Sequence, residues 1–191
     1  MKILFIDTTS NFCYLAIYND KKLLLYNSIK VNKNVTDIVV DSIGNLLKKQ
    51  KMSFAQLHAI YLNVGPGSFT GNKVGIIIAK TIKLVYPKIM IKIINSLLLQ
   101  TIDNKSYISI IDAKSNKSYV AVYKGFKILV SPTIIDNPDL LILYKKYKGF
   151  KIIQDRVDYM YKNFVIHFDH FKVVKDITKL EPLYLKQPVN H

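Results

Sequence analysis

Two aspartates stand where an apolar run meets a polar turn. Asp7 precedes Thr8-Thr9-Ser10, and Asp112 ends a second apolar run. In such turns, hydroxyls and backbone N–H groups can hold phosphates, and a carboxylate can hold the waters of a magnesium ion. An aspartate also stabilises a tight turn through its own backbone. We therefore expect Asp7, Thr8, Ser10 and Asp112 as a weak nucleotide site, for ATP or ADP with magnesium.

A glycine-rich loop is the most specific segment of the chain. It reads Gly65, Pro66, Gly67, Ser68, Phe69, Thr70 and then Gly71. The glycines around proline favour a sharp backbone turn, and Ser68 or Thr70 can cap a following helix. The loop is either a plain strand-to-helix connection or a phosphate loop. It lacks the Lys-Ser/Thr ending of a P-loop.

The residue types of hydrolases and metal enzymes are sparse. The histidines are His58, His167, His170 and His191, and none are four residues apart, the spacing that puts two imidazoles on one helix face. His167 and His170 are expected as exposed loop residues. Cys13, in an alternating strand pattern, is expected to be buried. We predict no catalytic set and no metal site.

A repeat supplies the elements that position these residues. Ile3–Leu24 matches Ile108–Leu129 at a constant offset of 105, which places Asp7 on Asp112. Each copy reads as an apolar strand, a polar turn, an alternating strand, a second turn and a third strand. This pattern favours a duplication.

The segments between the copies have their own signals. The first copy continues with a helix capped by Thr36 and ending at Lys48-Lys49, a strand over His58–Val64 and a helix over Gly71–Val85 before Pro87. The second copy is shorter, with a helix within Ile134–Tyr147, a strand within Gly149–Ile153 and a helical turn over Val157–Asn163.

This layout is typical of the actin, sugar-kinase and Hsp70-like ATPases (the ASKHA class). The predicted fold is α/β, with two duplicated ribonuclease-H-like lobes, of which the second is truncated. The expected boundary lies between residues 1–100 and residues 101–191. In such folds the two Asp turns face each other across a cleft.

Small residues recur on one face of the second helix, at Gly71, Gly75 and Ala79. A helix-interior glycine costs about 0.5–1 kcal/mol relative to alanine, which suggests close packing against another backbone. The alternative is that the helices pack on their own sheet. The predicted partner interface comprises Val40, Gly44, Leu47, Gly71, Gly75, Ile78, Ala79 and Ile82.

The charge balance is strongly basic. The formal net charge is +15, from 28 Lys and Arg against 13 Asp and Glu. Nearly all the positive charge is scattered lysine, with Arg156 the sole arginine, as expected of an AT-rich genome. A basic surface attracts polyanions such as tRNA. No apolar run approaches the roughly 20 residues that cross a bilayer, and no secretory signal opens the chain, so a cytoplasmic protein is expected.

The glycine-rich loop resembles the signature of the TsaB (YeaZ) family. The opening Asp7-Thr8-Thr9-Ser10, the segment Asp112-Ala113-Lys114 and the ending Glu181–Lys186 are similar to that family as well. This chain departs from the pattern where Asn72-Lys73-Val74-Gly75 replaces the usual Leu-Arg-Ile-Gly, and where Asn34 replaces a customary histidine.

The resemblance implies a non-catalytic subunit. TsaB-type proteins pair with the catalytic subunit TsaD, which transfers threonylcarbamoyl to the adenosine beside the anticodon of tRNAs reading ANN codons, and an ATPase, TsaE, assists. The two helices would form the dimer surface, with TsaD or with a second copy when TsaD is absent, and nucleotide would bind near it. The alternatives are an independent ATP-binding enzyme of the ASKHA class and a glycoprotease-like hydrolase.

Overall fold

Two sheets and five α-helices make up the described chain. The computed structural model describes residues 1–30, 35–155 and 160–185. The strands are β1 (Lys2–Asp7), β2 (Phe12–Asn19), β3 (Lys22–Lys30), β4 (Ala59–Asn63), β5 (Met90–Ile94), β6 (Ser106–Lys114), β7 (Lys117–Lys124), β8 (Lys127–Asp136), β9 (Lys151–Gln154) and β10 (Lys172–Val173). The helices are α1 (Val35–Lys49), α2 (Phe69–Val85), α3 (Ser96–Leu99), α4 (Leu140–Lys146) and α5 (Met160–Ile166).

The two sheets share one topology. The first has the order β10-β5-β4-β1-β2-β3. In it β1, β4 and β5 are parallel to one another, whereas β2 is antiparallel to both of its neighbours, β1 and β3. The second has the order β8-β7-β6-β9, with β6 and β9 parallel. It repeats the order β3-β2-β1-β4, and among the described residues no strand corresponds to β5, in agreement with the predicted truncation of the second lobe.

The repeat agrees with the bounds of the strands, but the first strand of the second copy is shifted by one residue. An offset of 105 carries β2 onto β7 and the start of β3 onto that of β8. In β6, however, the faces are reversed, because Ile3 and Phe5 point into the layer between the sheets whereas Ile108 and Ile110 point away from it. β6 is therefore shifted by one residue relative to β1. The pairing of Asp7 with Asp112 is wrong by one position, and Asp112 lies at a bulge.

Three apolar layers hold the fold together. The first packs α1 and α2 on one face of the first sheet, with Leu4, Ile6 and Leu62 at its centre. The second fills the space between the sheets, where Phe164 of α5 stacks on Tyr18 at a ring distance of 4.0 Å. The third, smaller layer packs α4 on the second sheet. Because both faces of β1 and β2 are covered, these strands are almost continuously apolar.

Several element boundaries differ from the sequence predictions. α1 begins at Val35, so Thr36 lies in its first turn and is not its cap. The helix expected within Ile134–Tyr147 is shorter because β8 continues to Asp136, held by pairing of Ile134 with Tyr119 of β7. β5 was not predicted. The first part of the turn expected over Val157–Asn163 lies outside the described residues, and α5 follows.

The end of the described chain returns to the first sheet. β10 pairs with β5, and Leu180 packs into the layer beneath α1 and α2. The nitrogen of Leu183 donates a hydrogen bond to the carbonyl of Val64, over 2.8 Å. The division of the chain near residue 100 stays a prediction, but this segment contacts the sheet of the first half. Within the described residues, no helix is long and apolar enough to cross a membrane.

Candidate functional site

A buried polar network lies under the glycine-rich loop. One oxygen of the Asp7 carboxylate accepts hydrogen bonds from the backbone nitrogen of Thr9 (2.9 Å) and from its hydroxyl (2.8 Å). The other accepts one from the Asn63 amide, over 3.0 Å. The Asn63 carbonyl oxygen in turn accepts from the nitrogen of Gly65 (3.1 Å) and from the hydroxyl of Ser96 (3.0 Å). β1, β4, the loop and α3 are thereby joined through one set of side chains.

Burial and hydrogen bonding act in opposite directions on Asp7. Burial raises the pKa of this carboxyl above its ordinary value, because the charged form loses its hydration. The hydrogen bonds from Asn63 and Thr9 lower the pKa and offset part of that effect. Both carboxylate oxygens are occupied by the chain itself. Asp7 thus stabilises its own turn, which is the alternative that the sequence left open.

The loop is held tightly against the turn after β1. The nitrogen of Ser68 donates to the carbonyl of Thr9, over 2.6 Å. The Ser68 hydroxyl accepts from the nitrogen of Gly71 (3.2 Å), so Ser68 rather than Thr70 is the N-cap of α2. Gly67 has φ +159°, and a Cβ added to it would lie 2.1 Å from the carbonyl oxygen of Thr9. Only a residue without a side chain fits there, and the peptide bond between Gly65 and Pro66 is cis.

The glycines of α2 face inward, contrary to prediction. A Cβ on Gly71 would lie 1.9 Å from the carbonyl oxygen of Thr8, and one on Gly75 would lie 2.7 Å from the Thr8 hydroxyl oxygen and 3.1 Å from Leu62. The Thr8 hydroxyl donates to the carbonyl of Gly71, over 2.7 Å. Thr8 therefore binds α2 and does not line the cleft, and the close approach that the glycines permit is to the chain's own β1 turn and β4.

Most of the predicted interface is covered by the chain itself. Besides Gly71 and Gly75, the buried members are Leu47, Ile78, Ala79 and Ile82, which belong to the layer on the first sheet. Val40 and Gly44 of α1 are exposed, and a Cβ on Gly44 would meet nothing within 4 Å. The correction follows from helix geometry, since residues 71, 75, 79 and 82 share the face that packs on the sheet.

The outer faces of α1 and α2 carry exposed apolar side chains, of which only Val40 was in the predicted interface. Val40 is 52% exposed, Ile77 59%, Val85 63% and Leu84 82%. Ile77 and Leu84 are two turns apart on α2, so they form a stripe along the helix. We call Val40, Ile77, Leu84 and Val85, with Gly44, the outer helix face. Sequence reasoning missed Ile77 and Leu84 because, in a run of Ile76-Ile77-Ile78, composition does not indicate which residue points outward.

A cleft of about 560 Å³ lies between the two sheets. Its lining includes Asp7, Ser10, the loop residues Pro66 to Phe69, and Asp112. The prediction that the two aspartate turns open onto one cleft is consistent with this arrangement. The Ser10 hydroxyl is engaged by Phe12, donating to its carbonyl and accepting from its nitrogen, at 3.0 Å each.

Asp112 differs from Asp7 in its surroundings. It is partly exposed and forms an ion pair of 2.6 Å with Lys114. Hydrogen bonds from the Lys114 side chain and backbone lower the pKa of Asp112. The Asp112 nitrogen donates to the carboxylate of Asp155, over 2.8 Å. Asp155 and Lys114 line the cleft but were not predicted, and no spacing in the sequence indicates Asp155.

The histidine and cysteine predictions had opposite outcomes. His167 is fully buried, so its expected exposure is wrong; its Nε2 lies 2.9 Å from the carbonyl oxygen of Thr101. Burial lowers the pKa of His167 to about 4. Cys13 is buried, as predicted, and burial, with the Asp7 charge second, raises the pKa of its thiol to about 12. Among the described residues, no three His, Cys, Asp or Glu side chains are placed to hold a metal ion.

The departures from the family pattern have distinct surroundings. Asn72 is buried, and its side chain lies against Gly65. Lys73 is exposed, with its ammonium 4.2 Å from the ring centroid of Phe69. Asn34, Arg156, Lys186 and His191 lie outside the described residues.

Comparison with known proteins gives consistent matches. The family model described as "TsaD: tRNA N6-adenosine threonylcarbamoyltransferase" matches residues 29–171. The chain is 32% identical to the uncharacterized protein MG208 of Mycoplasma genitalium over 169 residues, 85% of this chain and 83% of the relative. It is 25% identical to the tRNA threonylcarbamoyladenosine biosynthesis protein TsaB of Buchnera aphidicola over 178 residues, 91% of this chain and 76% of that protein.

The fold has a solved counterpart. YeaZ from Pseudomonas aeruginosa superimposes with a TM-score of 0.77, covering 96% of this chain and 99% of that one, at 14% identity. At this identity the likeness establishes the fold. The predicted class, α/β with duplicated ASKHA-type lobes, is confirmed.

Proposed function

The chain belongs to the family described by the TsaD model and, within it, to the TsaB (YeaZ) group, and on this premise we propose that it is a non-catalytic subunit that binds a TsaD-type protein. The family supports a role in forming threonylcarbamoyladenosine in tRNA. The proposed finer role is to hold TsaD in its active form while TsaD modifies the adenosine beside the anticodon of tRNAs reading ANN codons. A TsaE-type ATPase would assist, tRNA would be engaged through the complex, and the work would take place in the cytoplasm.

The outer helix face is the observation that carries this proposal. Ile77 and Leu84 are 59% and 82% exposed on a helix whose opposite side is fully packed. Apolar side chains grouped on one exposed helix are typical of protein interfaces. The glycines behind them lock α2 onto β1 and β4, so this face is presented by a rigid element.

A paired substitution tests the proposed interface. Ile77→Asp with Leu84→Asp should abolish co-elution with the TsaD-type subunit of the same organism, because two carboxylates would be desolvated on binding. The thermal midpoint of the free chain should change little, since both side chains already face water. The matched control is Leu141→Asp with Ile142→Asp on α4, at 62% and 64% exposure, which should bind TsaD normally.

Reconstitution tests the role in modification. TsaD-type and TsaE-type proteins supplied with tRNA, ATP and threonylcarbamoyl-adenylate should form modified tRNA with this chain, and far less without it. The chain carrying both α2 substitutions should fail to restore the activity, and the α4 control should restore it. Full modification in the absence of the chain would reject the proposed role.

A second proposal concerns the cleft. Asp7, Ser10 and Asp112 open onto one space of about 560 Å³, in the range of small-molecule sites. We propose that ATP or ADP binds there, at or near the seam with the partner. Magnesium fits less well, since both oxygens of Asp7 are occupied by Thr9 and Asn63, and Asp112 is paired with Lys114.

Thermal shift distinguishes an independent ATP-binding protein from a subunit whose nucleotide site lies at the seam with its partner. A ligand that binds the folded state raises its midpoint by mass action. A large shift of the free chain with ATP, absent in Asp112→Ala, would favour an independent ATP-binding protein. A shift seen only in the presence of the TsaD-type subunit would favour a nucleotide site at the seam.

A further inference from the structure

The charges of the second sheet are separated between its two ends. β6, β8 and β9 run in one direction and β7 runs in the other. The cleft end, where β6, β8 and β9 finish, carries four aspartates and two lysines: Asp112, Asp136, Asp139, Asp155, Lys114 and Lys117. The opposite end carries one aspartate and five exposed lysines: Asp103, with Lys105, Lys124, Lys127, Lys148 and Lys151. We call these five lysines the basic end, towards which the last turn of α4 adds Lys145 and Lys146.

Strand pairing arranges the basic end as a row. Lys124 finishes β7 opposite the start of β6, which Lys105 precedes. Lys127 begins β8 on one side of β7, and Lys151 begins β9 on the other side of β6. Neighbouring strands are about 4.8 Å apart, so a row across four strands spans about 14 Å. The strands therefore place positive charge across the whole width of the sheet at this end.

One pair of lysines in the row is unfavourable in the free chain. Lys124 and Lys127 lie directly opposite each other where β7 turns into β8. Like charges at opposite positions of an antiparallel pair destabilise the pairing. Among the described residues, no carboxylate forms an ion pair with either side chain. A bound polyanion would remove this repulsion.

The neighbouring carboxylates compensate little of the charge. Asp103 lies 3.7 Å from the ammonium of Lys105 and is near enough to Lys151 to interact with it electrostatically. Asp169, in the turn before β10, forms its ion pair of 2.8 Å with Lys21 of the first sheet. Asp103 is thus the one carboxylate set against the five lysines of the basic end within residues 101–155, all of which the structure describes.

We propose that the basic end binds the phosphate backbone of tRNA and so positions the tRNA on the complex. This inference rests on the function proposed above, which brings tRNA to the complex, and it gives this chain an RNA contact of its own. Lysine binds a phosphate as a point charge and reads no base, so the contact should serve tRNAs of different sequence. Lysine is depleted in protein interfaces, which argues against an acidic protein as the occupant. A lysine row also attracts anionic membranes, but the family acts on tRNA.

The salt dependence of tRNA binding tests the proposal. The complex of this chain with the TsaD-type subunit is titrated with a tRNA transcript at several salt concentrations. Each phosphate contact contributes about 0.7–0.9 to the slope of log affinity against log salt. Lys124→Gln with Lys127→Gln should therefore flatten the slope by about 1–2 and weaken binding at about 0.1 M salt by at least about fivefold. The thermal midpoint of the free chain should not fall, because the substitutions remove a repulsion.

A second pair and a matched control complete the test. Lys105→Gln with Lys151→Gln should flatten the slope in the same direction, since these lysines belong to the same row. The control is Lys30→Gln with Lys117→Gln, which makes the same change in net charge at strand ends beside the cleft. The control should keep tRNA affinity within about twofold, because those charges lie off the row. A loss equal to that at the basic end would show that net charge alone matters, and would overturn the proposal.

Other occupants would give different results. If Lys124→Gln with Lys127→Gln abolishes co-elution with the TsaD-type subunit and leaves tRNA binding by the free chain unchanged, the basic end docks a protein and the inference is wrong. It is also wrong if these substitutions abolish sedimentation with vesicles of phosphatidylcholine and phosphatidylserine while tRNA binding is unchanged.

The outcomes also separate this inference from the proposed function. If modification requires this chain but the salt slope is the same for the parent chain and for both basic-end variants, the proposed function stands and the inference fails. If modification is complete without the chain while its tRNA binding still depends on the basic end, the proposed function fails and the RNA contact stands.

Discussion

Adding one methyl group at Gly71 and at Gly44 should have opposite effects on the free energy of unfolding. Gly71 and Gly44 both lie in helices and both become alanine, so the chemical change is the same. A Cβ on Gly71 would lie 1.9 Å from the backbone oxygen of Thr8 and 3.1 Å from its carbonyl carbon. A Cβ on Gly44 would meet nothing within 4 Å. Backbone cannot rotate away as a flexible side chain can, so Gly71→Ala must displace the start of α2.

The magnitudes can be estimated from these contacts. Overpacking in a tight site costs about 1–3 kcal/mol, and losing the bond from the Thr8 hydroxyl to Gly71 costs roughly another 1 kcal/mol. The helix propensity of alanine returns at most about 1 kcal/mol, and less at this position in the first turn. We expect Gly71→Ala to lower the free energy of unfolding by about 2–3 kcal/mol. Gly44→Ala, in the interior of an exposed helix, should raise it by about 0.5–1 kcal/mol.

Urea unfolding measures both effects. With a slope of about 1–3 kcal/mol per molar urea, the midpoints of the two variants should differ by about 1–4 M. Gly44→Leu adds the functional half of the test, since it should fold normally and lose binding to the TsaD-type subunit if Gly44 lies in the interface. A Gly71→Ala protein as stable as the parent chain would refute the packing argument. A destabilised Gly44→Ala protein would show that this glycine is not open to solvent.

The remaining predictions concern buried polar groups. Burial lowers the pKa of His167 from the ordinary 6.5 of a histidine to about 4, so the unfolded chain binds a proton first as pH falls. The free energy of unfolding should therefore decrease by about 2 kcal/mol between pH 7 and pH 5, and His167→Gln should flatten this dependence. Asn63→Ala should lower the free energy of unfolding by about 2–4 kcal/mol, because it removes a hydrogen-bond donor to buried Asp7. The control is Asn45→Ala at an exposed position of α1, which should change the free energy of unfolding by less than about 0.5 kcal/mol. Equal urea midpoints for the two variants would contradict this prediction. The thiol of Cys13 should react with a thiol reagent only at the rate of unfolding, since it is buried and its pKa is about 12. Fast labelling of the folded protein would contradict this prediction.

Most of the architecture was available from the sequence. The offset of 105 carries β2 onto β7, because alternation in a strand and polar residues in a turn repeat with the backbone. It failed by one residue in β6, where both faces are apolar and the pattern does not fix which side chain points inward. A bulge at Asp112 accommodates the slip, and no residue type in this segment marks it.

The candidate site was harder to derive because glycine spacing has two physical explanations. A small residue every fourth position indicates that something approaches the helix closely, but not whether it belongs to the same chain. Here Thr8 is that neighbour, 63 residues before Gly71. The same limit applies to His167, whose side chain contacts Phe126 and Thr101, both distant in sequence. Long-range contacts decided both cases.

The inward glycines nevertheless support a role in binding, by a different route. Because Gly71 and Gly75 let α2 settle on the Thr8 turn and on β4, the helix is fixed by backbone contacts and by the network of Asp7, Thr9 and Asn63. A surface that is already rigid loses less conformational entropy when a partner binds to it. The hydrogen bonds of this turn thus hold α2 in place, and the side of α2 that faces away from the turn is where a partner would act.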